Sequence, residues 1–309
     1  MRKYLLALLL ALTLVLALAA TASANGGPHG GYTATTDACA GCHRAHTAVG
    51  PKLLVQTSTY ALCTSCHGNA GTGADSNVID GVWLEGRNPS DTTGDANTAN
   101  NAALLGGGFT NYRGVATTSN HDVTGTVLLA WGNGVNRGVA ATLGVGNEMD
   151  CASCHDPHGS PNYRIFAATV NSVAVTVAQV DEGAAKDYDT EQWGAGQSSF
   201  CAACHGSYHR TAAGQGSTLD NGTYTHRIDM ANAPAVETVG YGGYTLPLGE
   251  SGTQNRVVCQ TCHLPHGSSA AMTGFADPSG GWTPGTTDAA DSSLLRIDNR
   301  GVCEVCHQK

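Results

Sequence analysis

The chain is 309 residues long, carries 15 Lys and Arg against 24 Asp and Glu, and has a formal net charge of −9. That acidic balance argues against nucleic acid or an anionic membrane surface as a partner. Glycine contributes 41 residues and aromatics only 6%, a poor recipe for one large apolar core, so something other than side chains must fill the interior.

The first element in chain order is a basic start, Met1-Arg2-Lys3, followed by an apolar run from Tyr4 to Ala20 and the small residues Thr21-Ala22-Ser23-Ala24. This pattern predicts a secretory signal peptide over 1–24, cleaved before Asn25. No later stretch is long and apolar enough to cross a bilayer, so the expectation is an exported protein with no membrane insertion.

All twelve cysteines then fall into six C-x-x-C pairs, and a histidine directly follows each pair. The six motifs are Cys39/Cys42/His43, Cys63/Cys66/His67, Cys151/Cys154/His155, Cys201/Cys204/His205, Cys259/Cys262/His263 and Cys303/Cys306/His307. C-x-x-C-H is the attachment signature of c-type haem. A disulfide framework would account for the pairs but not for the histidines, and zinc sites do not place His directly after the second Cys. Six covalently attached haem c groups are therefore expected, with two thioethers per porphyrin and the following His as proximal iron ligand.

Seven further histidines remain, and three of them make C-x-x-C-H-x-x-H: His46 after His43, His158 after His155 and His266 after His263. His158 cannot serve the iron that His155 serves, because three residues of chain cannot pass around a porphyrin. In Asp156-Pro157-His158 and Leu264-Pro265-His266 the proline also breaks any helix and turns the second His away. A different iron is the remaining option, which ties neighbouring haems together. His29, His121 and His226 each precede a doubled motif, so the expected distal ligands are His29, His46, His121, His158, His226 and His266. His209 is left over and could replace one of them. Met149, Met230 and Met272 are possible axial ligands, but bis-histidine ligation is simpler and implies low potentials.

The repeat H…CxxCHxxH…CxxCH divides residues 25–309 into three two-haem modules: 25–120 with a Gly/Asn-rich insert, 121–225, and 226–309. Between motifs, 68–120, 160–200 and 268–290 read as loops with few elements. Residues 168–180 suggest a strand or hairpin, and 124–138 another, with Gly132-Asn133-Gly134 as its turn. Short helices should carry the CxxCH segments. The expected fold class is mostly irregular coil with short helices and few short strands, wrapped around a stacked chain of six c-type haems.

The module resembles the doubled-CxxCH family of multihaem cytochromes, on the residues "SNHDV", "CASCHDPHGS", "CQTCHLPHGSS" and the "LLR…VCEVCH" ending. The opening "PHGGYTATTDACAGCHRAHTA" is also similar to the start of extracellular cytochrome nanowire subunits, whose stacked haems form conducting filaments. The first module departs from the others in having "RAH" for the P-H-G form and in the short distance from His29 to its motif. The resemblance implies that a histidine of one subunit can complete a haem of the next, with His29, on its Gly-rich arm, as the first candidate. The functional expectation is a secreted, extracellular or cell-surface electron conduit and not an enzyme. It would polymerise head to tail with copies of itself and would take electrons from a redox donor to an extracellular acceptor. The alternatives are a monomeric periplasmic or cell-surface carrier and a multihaem reductase, which would need an open iron position.

Overall fold

The computed structural model describes residues 29, 37–68, 74–84, 101–127, 130, 148–180, 193–209, 226–231, 246–251, 254–273 and 292–307. Most of this is coil and turn, punctuated by short helices and strands of two to four residues, in agreement with the expected fold class.

Five of the six attachment motifs start or sit on α-helices, at Asp37–Ala40, Thr59–His67, Gln197–His205, Cys259–Cys262 and Gly301–Cys306; the third opens on a 3-10 turn, Cys151–Ser153. The short helical turn is what the spacing requires, because it brings both cysteines and the histidine to one side. In four motifs the histidine N–H closes that turn on the first cysteine's carbonyl: His43 on Cys39, His155 on Cys151, His263 on Cys259 and His307 on Cys303, at 2.8–3.1 Å. The Thr59–His67 helix is capped by Ser58, whose Oγ accepts from Ala61 N at 3.1 Å.

The expected hairpin within 168–180 is present: Thr169–Val170 pairs antiparallel with Val173–Ala174 around Asn171 and Ser172, both at positive φ. Thr124–Val127 is also a strand, but it pairs with Glu148–Asp150, and the turn expected at 132–134 lies outside the described residues. The segment 68–120 holds more than loop. Ser76–Asn77, Val82–Leu84 and Asn101–Ala103 form a three-stranded antiparallel sheet, and Asn111–Tyr112 pairs with Val115–Ala116. A buried carboxylate pins this region: Asp80 accepts from Asn77 Nδ2 at 3.1 Å and from Asn111 Nδ2 at 2.6 Å.

Apolar packing is scattered over small clusters. One joins Tyr163, Phe166, Val170, Val175, Val177, Phe200 and Ala203, with Cys154, Cys201 and Cys204 against it. Another joins Leu246, Leu248, Val257, Ile297, Val302 and Val305, with Cys262 at its margin. Attachment cysteines thus border the clusters.

One local device occurs three times. A four-residue turn with two consecutive left-handed residues folds back on the odd-numbered motifs: Pro51–Leu54 on the first, Tyr163–Phe166 on the third, Ser292–Leu295 on the fifth. The left-handed pairs are Lys52/Leu53 (φ 57°, 60°), Arg164/Ile165 (49°, 51°) and Ser293/Leu294 (51°, 63°), all without glycine. The hydrogen bonds repeat as well. Leu54 N, Phe166 N and Leu295 N close the turns; Val55, Ala167 and Arg296 N donate to the carbonyls of Cys42, Cys154 and Cys262 at 2.9–3.0 Å. This threefold backbone repeat is what positions the first, third and fifth proximal histidines.

Candidate haem sites

Each left-handed turn presents a carbonyl to a histidine ring. His43 Nδ1 lies 2.8 Å from Lys52 O, His155 Nδ1 3.1 Å from Arg164 O, and His263 Nδ1 2.8 Å from Ser293 O. A carbonyl only accepts, so Nδ1 carries the proton in each ring and Nε2 keeps its lone pair, which is the tautomer a metal ligand needs. His67 Nδ1 lies 2.9 Å from Ser76 Oγ. The distal candidates follow suit: His29 Nδ1 donates to Pro157 O at 3.1 Å, His121 Nδ1 to Pro265 O, His226 Nδ1 to Arg227 O at 2.6 Å and His266 Nδ1 to Gly107 O at 3.3 Å.

The rings then face one another in pairs. Ring centres are 6.2 Å apart for His43 and His158, 6.0 Å for His67 and His29, and 6.5 Å for His155 and His266. They are 6.2 Å apart both for His205 and His121 and for His307 and His226. Each pair joins a CxxCH histidine to one expected distal histidine. An imidazole nitrogen bonds a transition metal at about 2.0–2.1 Å and lies about 1.1 Å from its ring centre, so two rings across one metal stand about 6.3 Å apart. The donor set, its tautomers and its spacing fit a six-coordinate iron held between two imidazoles. Among the described residues no three His, Cys, Asp or Glu side chains gather as a bare metal site would require.

Burial supports the same reading. It pushes the pKa of His155 down to about 4 and of His266 to about 3, so both rings are neutral near pH 7. Phe166 stacks on His155 at 4.9 Å and Phe109 on His266 at 4.7 Å, shielding that pair from water.

None of the twelve cysteines is joined to another in a disulfide. Burial pushes Cys154 and Cys262 up to about 12. The thiols of consecutive motifs approach one another along the chain. Cys42 is raised by burial and then by Cys63 and Cys66, Cys63 hydrogen-bonds Cys151, Cys154 senses Cys204, Cys201 hydrogen-bonds Cys259, and Cys262 senses Cys303 and Cys306. The six motifs therefore follow one another in space in sequence order.

Three sequence expectations take a different form. His29, the first candidate for reaching another subunit, faces His67 of its own chain. His209, the spare, has its Nε2 2.9 Å from Asp229 Oδ2 and faces no CxxCH histidine among the ring pairs. Among the described residues, the ring pairing leaves His46 and His263, besides His209, without a counterpart. Sequence reasoning also missed Ser76 and the turn carbonyls, because a contact to backbone leaves no mark in residue spacing.

Comparison with known proteins gives three likenesses. The family described as the doubled CXXCH motif matches residues 32–72 and 144–173. The C-type cytochrome OmcS of Geobacter sulfurreducens is 26% identical over 283 residues, 78% of this chain. The chain spans 58% of the length of that curated relative. A solved structure, the cryo-EM of OmcS nanowires from the same organism, aligns over 88% of this chain and 93% of that one, at 19% identity and a TM-score of 0.36. The chain resembles the doubled-CxxCH multihaem cytochromes that include a nanowire subunit, and its CxxCH motifs mark it for covalent haem c.

Proposed function

We propose that this chain is an exported hexahaem cytochrome that relays electrons along six bis-histidine haems, and that its copies join head to tail into an extracellular filament. The observation that carries the reading is the set of five facing histidine pairs, 6.0–6.5 Å apart, on motifs that follow one another in space. Haem c supplies a one-electron iron couple whose potential the axial ligands and their hydrogen bonds set. The protein's own part is to hold each macrocycle by Cys39/Cys42, Cys63/Cys66, Cys151/Cys154, Cys201/Cys204, Cys259/Cys262 and Cys303/Cys306, and to fix both imidazoles. With both axial positions filled there is no open site for a substrate, which favours a conduit over a reductase.

The pairing crosses module boundaries in one direction. The second His of the middle motif, His158, faces the first module's His43; that of the last, His266, faces the middle module's His155. Continued by one step, the series pairs His263 with a second His of the same kind, and His46 is the one that remains. In the filament, His46 of one copy completes the iron held by His263 of another. A contact that joins unlike surfaces and does not close on itself generates a filament.

Two measurements test this. Intact mass of the purified protein should show six haem additions; fewer would overturn the relay. His46→Ala should keep all six, lose the filaments seen in electron micrographs, and acquire one high-spin haem. Filaments that persist in His46→Ala would rule out the assembly proposed.

A further inference from the structure

We propose that the imidazole of His226 is also held by a second copy: its Nδ1–H donates to the carbonyl of Ala45 in the copy whose His46 faces His263. This rests on the filament reading above and adds a contact that the reading does not require.

The argument is that the chain already contains the same joint twice. At the first, His29 Nδ1 donates to Pro157 O, the next residue, His158, faces His43, and the Cys63 thiol meets Cys151. At the second, His121 Nδ1 donates to Pro265 O, the next residue, His266, faces His155, and Cys201 meets Cys259. Each joint thus has three members in fixed order. The third set consists of His226, His263 and Cys303 on one side, and Ala45, His46 and Cys39 on the other. None of these six meets its counterpart within one copy, and Cys39 and Cys303 are both exposed.

Ala45 is presented as Pro157 and Pro265 are. The residue before each of them, Arg44, Asp156 or Leu264, donates its N–H to the second carbonyl of the left-handed turn: Leu53 at 2.9 Å, Ile165 at 2.7 Å, Leu294 at 2.8 Å. The chain therefore leaves all three motifs on the same backbone support. His226, in contrast, is exposed and donates only to its own neighbour, Arg227 O. Its ring plane stands 61° from that of His307, against 22° for His29 with His67 and 47° for His121 with His205. Exchange of the Arg227 carbonyl for Ala45 would turn the ring toward the orientation of its two equivalents.

The third joint differs in one respect. Thr47 stands where the internal joints have Gly159 and Gly267, and a Cβ on Gly267 would lie 2.3 Å from Gly108 O. Close backbone approach beyond His46 is thus closed to the intermolecular joint, and the contact ends at Ala45 and His46.

The test is electron paramagnetic resonance on the oxidised full chain, with a cryo-EM map of the filament. In ferric bis-histidine haems a wide angle between ring planes gives a strongly anisotropic low-spin signal, and a narrow angle a rhombic one. Monomeric His46→Ala should show the anisotropic signal from two irons, His155/His266 at 57° and His226/His307 at 61°. In wild-type filaments the His226/His307 iron should lose that signal, with His226 Nδ1 within hydrogen-bond reach of the neighbouring Ala45 carbonyl in the map. A filament in which the His226/His307 iron keeps it and His226 stays on Arg227 O overturns this contact and leaves the filament standing. Wild-type protein that never polymerises overturns both.

Discussion

A histidine has two nitrogens, and in this protein the outer one decides what the inner one can do. The carbonyl or hydroxyl on Nδ1 fixes the tautomer and adds electron density to the ring, which favours ferric over ferrous iron. Ser76 is the one such residue that adds a side-chain partner, its Oγ 2.9 Å from His67 Nδ1 beside its own carbonyl at 3.3 Å. Ser76→Ala should therefore raise the midpoint potential of the second haem on the order of 30–60 mV, about 59 mV being a tenfold bias for one electron. Spectroelectrochemistry would read this, with intact mass confirming that no haem is lost. Asn162 is the structural counterpart. It is 2% exposed; its Nδ2 reaches Phe166 O, Ala167 O and Val175 O at 3.2–3.3 Å, and its Oδ1 accepts from Val177 N at 2.9 Å. Asn162→Leu strands these buried groups and should cost about 2–3 kcal/mol, read as an earlier thermal transition. Each histidine of the five facing pairs was singled out in the sequence as a candidate ligand. Ser76 and Asn162 were not, since nothing in their spacing distinguishes them from the other Asn and Ser residues of an Asn- and Ser-rich chain.

Among the elements, the helical turns on CxxCH follow from the motif itself, because five residues must bring two thiols and a ring together. The Thr169–Ala174 hairpin is legible for another reason, its Val and Thr run interrupted by Asn171 and Ser172. The left-handed turns were hidden, because Pro-Lys-Leu-Leu, Tyr-Arg-Ile-Phe and Ser-Ser-Leu-Leu share no turn residue and none has glycine. Tertiary hydrogen bonds to the attachment motif impose a backbone that costs roughly 1–2 kcal/mol per residue. Lys52→Pro forbids that backbone and should release the Arg44–Leu53, Leu54–Pro51 and Val55–Cys42 hydrogen bonds, a loss of about 3 kcal/mol. Lys52→Gly, which adopts the turn freely, should be neutral or stabilising by up to about 1 kcal/mol. Hydrogen exchange of the amides of 44–55 separates the two outcomes: Lys52→Pro speeds it and Lys52→Gly leaves it unchanged or slower. The sheet at 76–103 escaped the sequence reading for a related reason: a buried Asp80, tied to Asn77 and Asn111, organises a segment whose composition looks like loop.

At the scale of the whole molecule, which histidine faces which was beyond reach of the sequence. His43 and His158 are brought together by packing between the first and third attachment motifs, and no local pattern encodes that distance. The same scale explains the composition. The apolar clusters are small, they border on the attachment cysteines, and buried polar side chains such as Asp80, Gln197 and Gln260 run among them. Folding a chain costs conformational entropy of about 1–2 kcal/mol per residue, and clusters of three to seven side chains cannot offset that over 309 residues. Six macrocycles bound between facing imidazoles would supply both the missing apolar surface and long-range crosslinks at every joint. The chain expressed without haem attachment should consequently show no cooperative thermal transition by circular dichroism and fast amide exchange throughout, whereas the haem-loaded protein melts as a unit. A cooperative transition in the haem-free chain would mean that the polypeptide has a core of its own, and the haems would then decorate the fold rather than form its interior.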